Sequence, residues 1–225
     1  LVAQASSGST FTGWSGACSG TGSCTIAAGA NSADVKANFS GGTSSYTQHV
    51  VTMFTGYFGR PAGASGLTYY ENQLAQSGGN YRILVDDFYK SAESQGIYGG
   101  ATVPSQITQV FQQLFSRQPQ DSGLTYWTQQ VNLGVISVPE IAYTVAYNAA
   151  AADTEVLNAK RRAALAFTQA LAANAQYANA YAQSLSVGRL YLGSVSGTAT
   201  ADAAIAKLPT TMSNLAAGIK TYSCP

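Results

Sequence analysis

Two grammars of hydrophobic and polar positions divide the chain. Residues 1–45 are proline-free, with short runs such as Phe11-Thr12-Gly13-Trp14 and Cys24-Thr25-Ile26 set between Gly/Ser clusters. Ala33 to Phe39 alternates with a period of two, the pattern of a half-buried strand. Residues 1–40 are therefore expected to form a small β module, and the run Ser40-Gly41-Gly42-Thr43-Ser44-Ser45 predicts a linker over 41–45. From Tyr46 the period changes. Val50, Phe54, Tyr57 and Phe58 fall at i, i+4, i+7 and i+8, one face of a helix. Leu67, Tyr70 and Leu74 repeat this spacing, and Leu84, Val85 and Phe88 mark a third helix that the glycines at 96, 99 and 100 are expected to stop.

The helical pattern then recurs 57 residues later. Val50, Met53 and Phe54 return as Ile107, Val110 and Phe111. Phe58-Gly59-Arg60-Pro61 returns as Phe115-Ser116-Arg117-Gln118-Pro119, and the block from Ser65 to Tyr70 returns from Ser122 to Trp127 with five of six residues identical. This is an internal duplication, with units at about 46–100 and 103–152. Each unit reads as helix, Arg-Pro turn, helix, Gly break, helix. Ser65 and Ser122 are natural N-caps for the second helix. Arg60 and Arg117 end the first, where a cation complements the helix dipole. A long Ala-rich helix is expected over 154–185, carrying Phe167, Leu171, Tyr181 and Leu185 on a stripe that Asn174 interrupts. Gly188, Gly193 and Gly197 are expected to loosen the next segment, and short helices flank Pro209 within 200–220. The expected class is α+β, mostly α, with domains 1–40 and 46–225.

Composition narrows the function. Charged residues are 9% of the chain and the formal net charge is +1, against roughly 25% charged in an ordinary soluble domain. Such a surface has little protection against self-association, and it lacks the basic excess that nucleic-acid binding requires. Fourteen tyrosines suit contact surfaces. The chain opens on Leu1, read as a processed or trimmed start, and no apolar run reaches the 18 residues of a transmembrane helix. Cys18 and Cys24 bracket a Gly-rich turn and are expected to form a disulfide, which implies an extracytoplasmic setting. Cys224 is left over as an intermolecular or free thiol.

Catalytic chemistry is absent from the pattern. The single histidine, His49, aligns with Gln106 in the duplication. Asp86 and Asp87 are adjacent on a helix and point about 100° apart, which does not make an acid–base pair across a cleft. Gly41-Gly42 and Gly99-Gly100 lack the Lys-Ser/Thr of a phosphate loop. No catalytic residue, metal ligand or cofactor is expected; calcium held by Asp86 or Asp121 with backbone oxygens is the one ion for which the sequence leaves room.

The Phe-Gly-Arg-Pro block, the Ser-Gly-Leu-Thr-Tyr-Tyr/Trp block and Lys90-Ser91-Ala92-Glu93 resemble the domain-of-unknown-function 4214 family over about residues 46–165. The second copy departs from it, with Tyr147-Asn148-Ala149 in place of Lys-Ser-Ala-Glu. That resemblance implies a secreted protein of a Gram-negative bacterium, surface-layer proteins included, and carries over no catalytic residue. Phe11 to Cys18 and Cys24-Thr25-Ile26 resemble the second half of an internalin-type bacterial B-repeat, whose first-half strands would precede Leu1. Half a module leaves a sheet edge and an apolar face to be covered. Leu1, Val2, Phe11, Trp14 and Phe39 are the candidate assembly surface, to be completed by a neighbouring copy. The expected function is a structural subunit of an extracellular filament or surface layer, with copies of itself as partners. The alternative is an adhesin whose Trp14, Tyr69, Tyr70, Tyr126 and Trp127 stack on cell-surface glycans.

Overall fold

The structure, a computed structural model, describes residues 1–3, 10–26, 34–40 and 46–222. Its contacts fall into two compact units, Leu1–Ser45 and Tyr46–Pro225. The first holds an antiparallel pair, β1 (Thr10–Gly16) and β2 (Val35–Ser40), in register from Thr10 opposite Ser40 to Gly16 opposite Val35, with an irregularity between Phe11 and Gly13. Gly16 closes the pair at φ 92°, and a Cβ there would lie 2.1 Å from the Asp34 carbonyl oxygen, so only glycine fits. Cys18 and Cys24 form a disulfide with a Cα–Cα distance of 5.7 Å. Among the described residues of this unit, this crosslink and a few polar contacts hold the loop. Trp14 donates its backbone N–H to Gly20 O and its indole N–H to Gly22 O, and Leu1 and Cys24 exchange two backbone hydrogen bonds.

The second unit is helical. The first copy comprises α1 (Thr47–Phe58), α2 (Ala64–Gln76), α3 (Arg82–Lys90) and α4 (Ala92–Tyr98). The second comprises α5 (Val103–Phe115), α6 (Asp121–Asn132), a 3-10 turn at Val138–Glu140 and α7 (Ile141–Tyr147). The duplication predicts burial residue by residue: Val50 and Ile107, Met53 and Val110, Phe54 and Phe111, Tyr57 and Leu114, Phe58 and Phe115 are all buried in one core. Leu84, Val85 and Phe88 of α3 join it, and so do Ile141, Ala142 and Val145 at the equivalent places of α7.

A second core is built by α8 (Ala151–Ala172), α9 (Ala175–Ala182), α10 (Leu185–Gly193), α11 (Thr198–Ala206) and α12 (Leu208–Ala216). The single helix expected over 154–185 is two, α8 and α9, and Leu185 opens α10. Asn174 ends α8 and restarts the chain as N-cap of α9, its side chain accepting the Gln176 N–H at 2.8 Å. The Asn at the interrupted stripe position is thus a cap, the role its short polar side chain favours. The expected loosening at Gly188 and Gly193 is also corrected, since both lie in α10. Gly188 is there for proximity: a Cβ would sit 2.3 Å from the Tyr181 hydroxyl oxygen. Pro209 stands in the first turn of α12, where its missing N–H costs nothing.

Two helices place buried side chains in both cores, and the half-buried Leu67 of α2 packs against both. α1 gives Val50, Met53, Phe54, Tyr57 and Phe58 to the first and Val51 to the second. α8 gives Leu157 to the first and Ala159, Ala163, Ala164, Phe167 and Leu171 to the second. Ala at the shared face lets the helices approach closely.

Candidate functional site

The most specific side-chain constellation occurs twice. Arg60, just past the end of α1, donates Nε and Nη2 to the two oxygens of Glu93 at 2.7 and 2.6 Å, and Nη1 to Pro61 O at 3.0 Å. Its guanidinium lies 5.3 Å from the Phe54 ring centre and 5.1 Å from that of Phe58. Arg117 does the same with Asp153, at 2.7 and 2.6 Å, and with Gln118 O at 2.8 Å, over the Phe111 ring at 5.3 Å. The expected dipole role of the two arginines is therefore extended: each is a bidentate clamp from the end of one helix to the first turn of another. In the first copy that helix is α4 and in the second it is α8.

Beside each clamp is a pocket at the start of the second helix. The one at Arg60 has a volume of about 510 Å³ and is walled by Phe54, Gly63, Ser65, Leu171, Ala178 and Tyr181. The one at Arg117 is about 170 Å³, narrowed by Trp127, Asn148 and Asp153. Ser65 and Ser122 do not cap these helices, as the sequence suggested; α2 begins one residue earlier, after Gly63, and α6 begins after Gln120, neither with a side-chain cap. Arg60 Nε and Nη2 and both oxygens of Glu93 are engaged with each other, and Arg189 also bridges Glu93. The clamp holds structure together and offers no free acid, base or nucleophile.

The other sequence-derived candidates scatter. Leu1 and Val2 are exposed, while Phe11 and Trp14 are half-buried and meet edge to face at 5.2 Å. Trp14 is thus engaged by its own module's loop. The side chain of Phe39, and all of Cys224, lie outside the described residues. His49 stacks on Tyr147 at 5.2 Å and its Nδ1 is 2.6 Å from the Tyr147 hydroxyl. Burial, and then the Arg161 guanidinium, lower its pKa. Tyr147 continues through Tyr143 to Tyr81, at 4.4 and 3.7 Å, forming a ladder of rings that joins the two copies. Asp86 pairs with Lys90 at 3.8 Å, and Asp121 opens α6. Among the described residues no three His, Cys, Asp or Glu gather to hold a metal. No helix among them is long and apolar enough to cross a membrane. Tyr69 and Tyr126, at equivalent positions, are each 52% exposed, and their neighbours Tyr70 and Trp127 pack against the core.

Two features escaped the sequence reading. One is Lys160, buried in α8. The other is an apolar turn after α6. There Leu133 N–H donates to Gln129 O, Val135 N–H to Gln130 O, and Gly134 takes φ 69°. The turn after α2 makes the same hydrogen bonds, Ser77 to Gln73 O and Gly79 to Leu74 O with Gly78 at φ 66°, but there the next residue, Gly79, is left-handed as well, at φ 88°. Where the first copy carries Ser77 and Gly79, the second exposes Leu133 at 76% and Val135 at 65%.

Residues 85–149 match the family model described as Domain of unknown function (DUF4214), as the sequence blocks led one to expect over a wider span. The match lies wholly within the helical unit. No curated protein and no solved structure shows a significant match to the chain.

Proposed function

We propose that the chain is a self-associating structural subunit of an extracellular bacterial assembly, a filament or a surface layer, and has no catalytic role. The observation that carries this reading is the turn at Leu133 and Val135. The first copy closes the corresponding hydrogen bonds after α2 with Ser77 and Gly79, so a turn at this place forms without aliphatic side chains. Two adjacent aliphatic side chains held in water on a chain with 9% charged residues favour burial against another protein surface. A second copy is the partner that a homopolymer supplies at high local concentration. The disulfide favours an oxidising compartment. The β module, with only two paired strands among the described residues and with Leu1 and Val2 exposed, supports a further contact in which a neighbouring copy completes the sheet.

Sedimentation velocity and negative-stain imaging of the native chain test this. Assemblies larger than a monomer are expected, and Leu133→Ser with Val135→Ser should lower the association constant at least tenfold without lowering the melting temperature. A wild-type chain that stays monomeric at high concentration would overturn the reading. The equivalent exposure of Tyr69 and Tyr126 favours glycan binding as a second reading. Array binding lost on Tyr69→Ala with Tyr126→Ala would raise it above the first.

A further inference from the structure

The ammonium of Lys160 is the one cation buried without a carboxylate among the described residues. It is 1% exposed, and of its three N–H groups a single one is used, donated to Gln113 O at 2.7 Å near the end of α5. An isolated ammonium in such a place forfeits hydration that one carbonyl does not replace. Replacing it by an apolar side chain would be the simple solution for a core position, and its buried neighbours one turn away on α8, Leu157, Ala163 and Ala164, are all apolar.

Lys160 does not face solid packing. It lines a cavity of about 220 Å³ together with Phe58, Gly59, Ile97, Gln112 and Arg189. Arg189 donates Nε to Phe58 O at 3.1 Å and Nη2 to Glu93, which leaves Nη1 with no partner among the described residues. Glu93 is already shared with Arg60, so Arg189 has only part of one carboxylate. Lys160 and Arg189 thus line one cavity, each with N–H groups that no acceptor among the described residues takes, and a negative charge is what that cavity lacks. Its volume exceeds the roughly 30 Å³ of a water severalfold and admits an oxyanion with at most a few carbon atoms.

We propose that this cavity, bounded by the end of α1, α5, α8 and α10, is a binding site for a small oxyanion, with Lys160 and Arg189 as its ligands. The site is a property of one helical unit, so it stands or falls independently of whether copies associate. A bound oxyanion would tie the second copy of the duplication to α8 and α10, as the clamps tie helices elsewhere. Planar carboxylate and tetrahedral phosphate or sulfate share the chemistry, and the test separates them.

Thermal unfolding of the full chain is followed while sodium acetate, sulfate or inorganic phosphate is titrated against sodium chloride at constant ionic strength. A saturable rise in melting temperature, half-complete in the millimolar range or below, is expected for at least one of them. Lys160→Met, which keeps the length of the side chain and should fold, is expected to weaken that midpoint at least tenfold. Response to acetate alone identifies a carboxylate site, and response to sulfate or phosphate a tetrahedral one. An absence of any saturable shift, or an equal shift in Lys160→Met, would overturn the proposal, since it would reflect a general salt effect.

Discussion

At the residue scale, Lys160 has a measurable signature of its own. Burial lowers its pKa to about 8 from the ordinary 10.5 of a lysine. The unfolded chain therefore holds this proton up to pH 10.5, whereas the folded chain releases it near 8. Between those values the unfolded state binds more protons, so stability rises with pH across that window, and the cost is fully present below pH 8. The gap corresponds to about 3 kcal/mol at its largest. Lys160→Met is expected to stabilise the anion-free protein at pH 7 by about 1–3 kcal/mol and to flatten the rise between pH 8 and 10.5, read by denaturant unfolding across pH. A second residue-scale case is the left-handed position after the first helix of each copy. Gly59 holds φ 64° and Ser116 φ 55°, the single non-glycine residue with positive φ among those described. Ser116 offsets its strain with a hydroxyl bond to Val195 O at 2.8 Å, whereas a Cβ on Gly59 would press against Gln113 at 3.2 Å. Gly59→Ser should therefore cost about 1–2 kcal/mol in chemical denaturation.

At the element scale, the clamps explain how far the sequence could be read. The faces of α1 and α5 were legible, because helical spacing of Val50, Phe54 and Phe58 is dictated by burial and the duplication checks it position by position. The arginines were legible as a repeat, but their partners were not. Glu93 is at the second position of α4 and Asp153 at the third of α8, so the two carboxylates do not align at a shift of 57. The shorter Asp side chain is matched by a position later in the helix. Lys160 was hidden for another reason: within Lys160-Arg161-Arg162 it looks like part of a solvated charged face, and only packing shows which of the three turns inward. The split of the Ala-rich segment was missed because alanine has high helix propensity on both sides of Asn174, and a cap acts through one hydrogen bond. The two clamps differ in burial: the Arg60–Glu93 pair is largely buried and the Arg117–Asp153 pair is more exposed on its arginine side. Arg60→Met should cost about 2–4 kcal/mol and Arg117→Met about 1 kcal/mol or less, in the same denaturation assay. Gly188→Ala should cost about 1–3 kcal/mol by pushing Tyr181 away from Pro61 O, which its hydroxyl reaches at 2.8 Å.

At the scale of the whole molecule, the two units depend on different forces. The described residues of the β unit have a disulfide and few buried side chains, whereas the helical unit has two apolar cores. Reduction of Cys18–Cys24 is expected to abolish amide protection in residues 10–26 and to leave the protection of α1, α5 and α8 unchanged, as measured by hydrogen exchange. The general class, mostly helical with a small β module, was readable from the change of hydrophobic period near residue 46. The two-core organisation was not, because it depends on Val51 and Leu157, single residues that point away from their helix's main face.

Asp153 has a last consequence. The second copy of the duplication is closed by a carboxylate that the copy itself does not contain, borrowed from the helix that opens the next core. A fragment ending at residue 150 would keep every repeated sequence block and still strand Arg117. The boundary of the repeat is thus not a boundary of cooperativity: α1 and α8 transmit the unfolding of either core to the other, and the helical unit should melt in one transition rather than copy by copy.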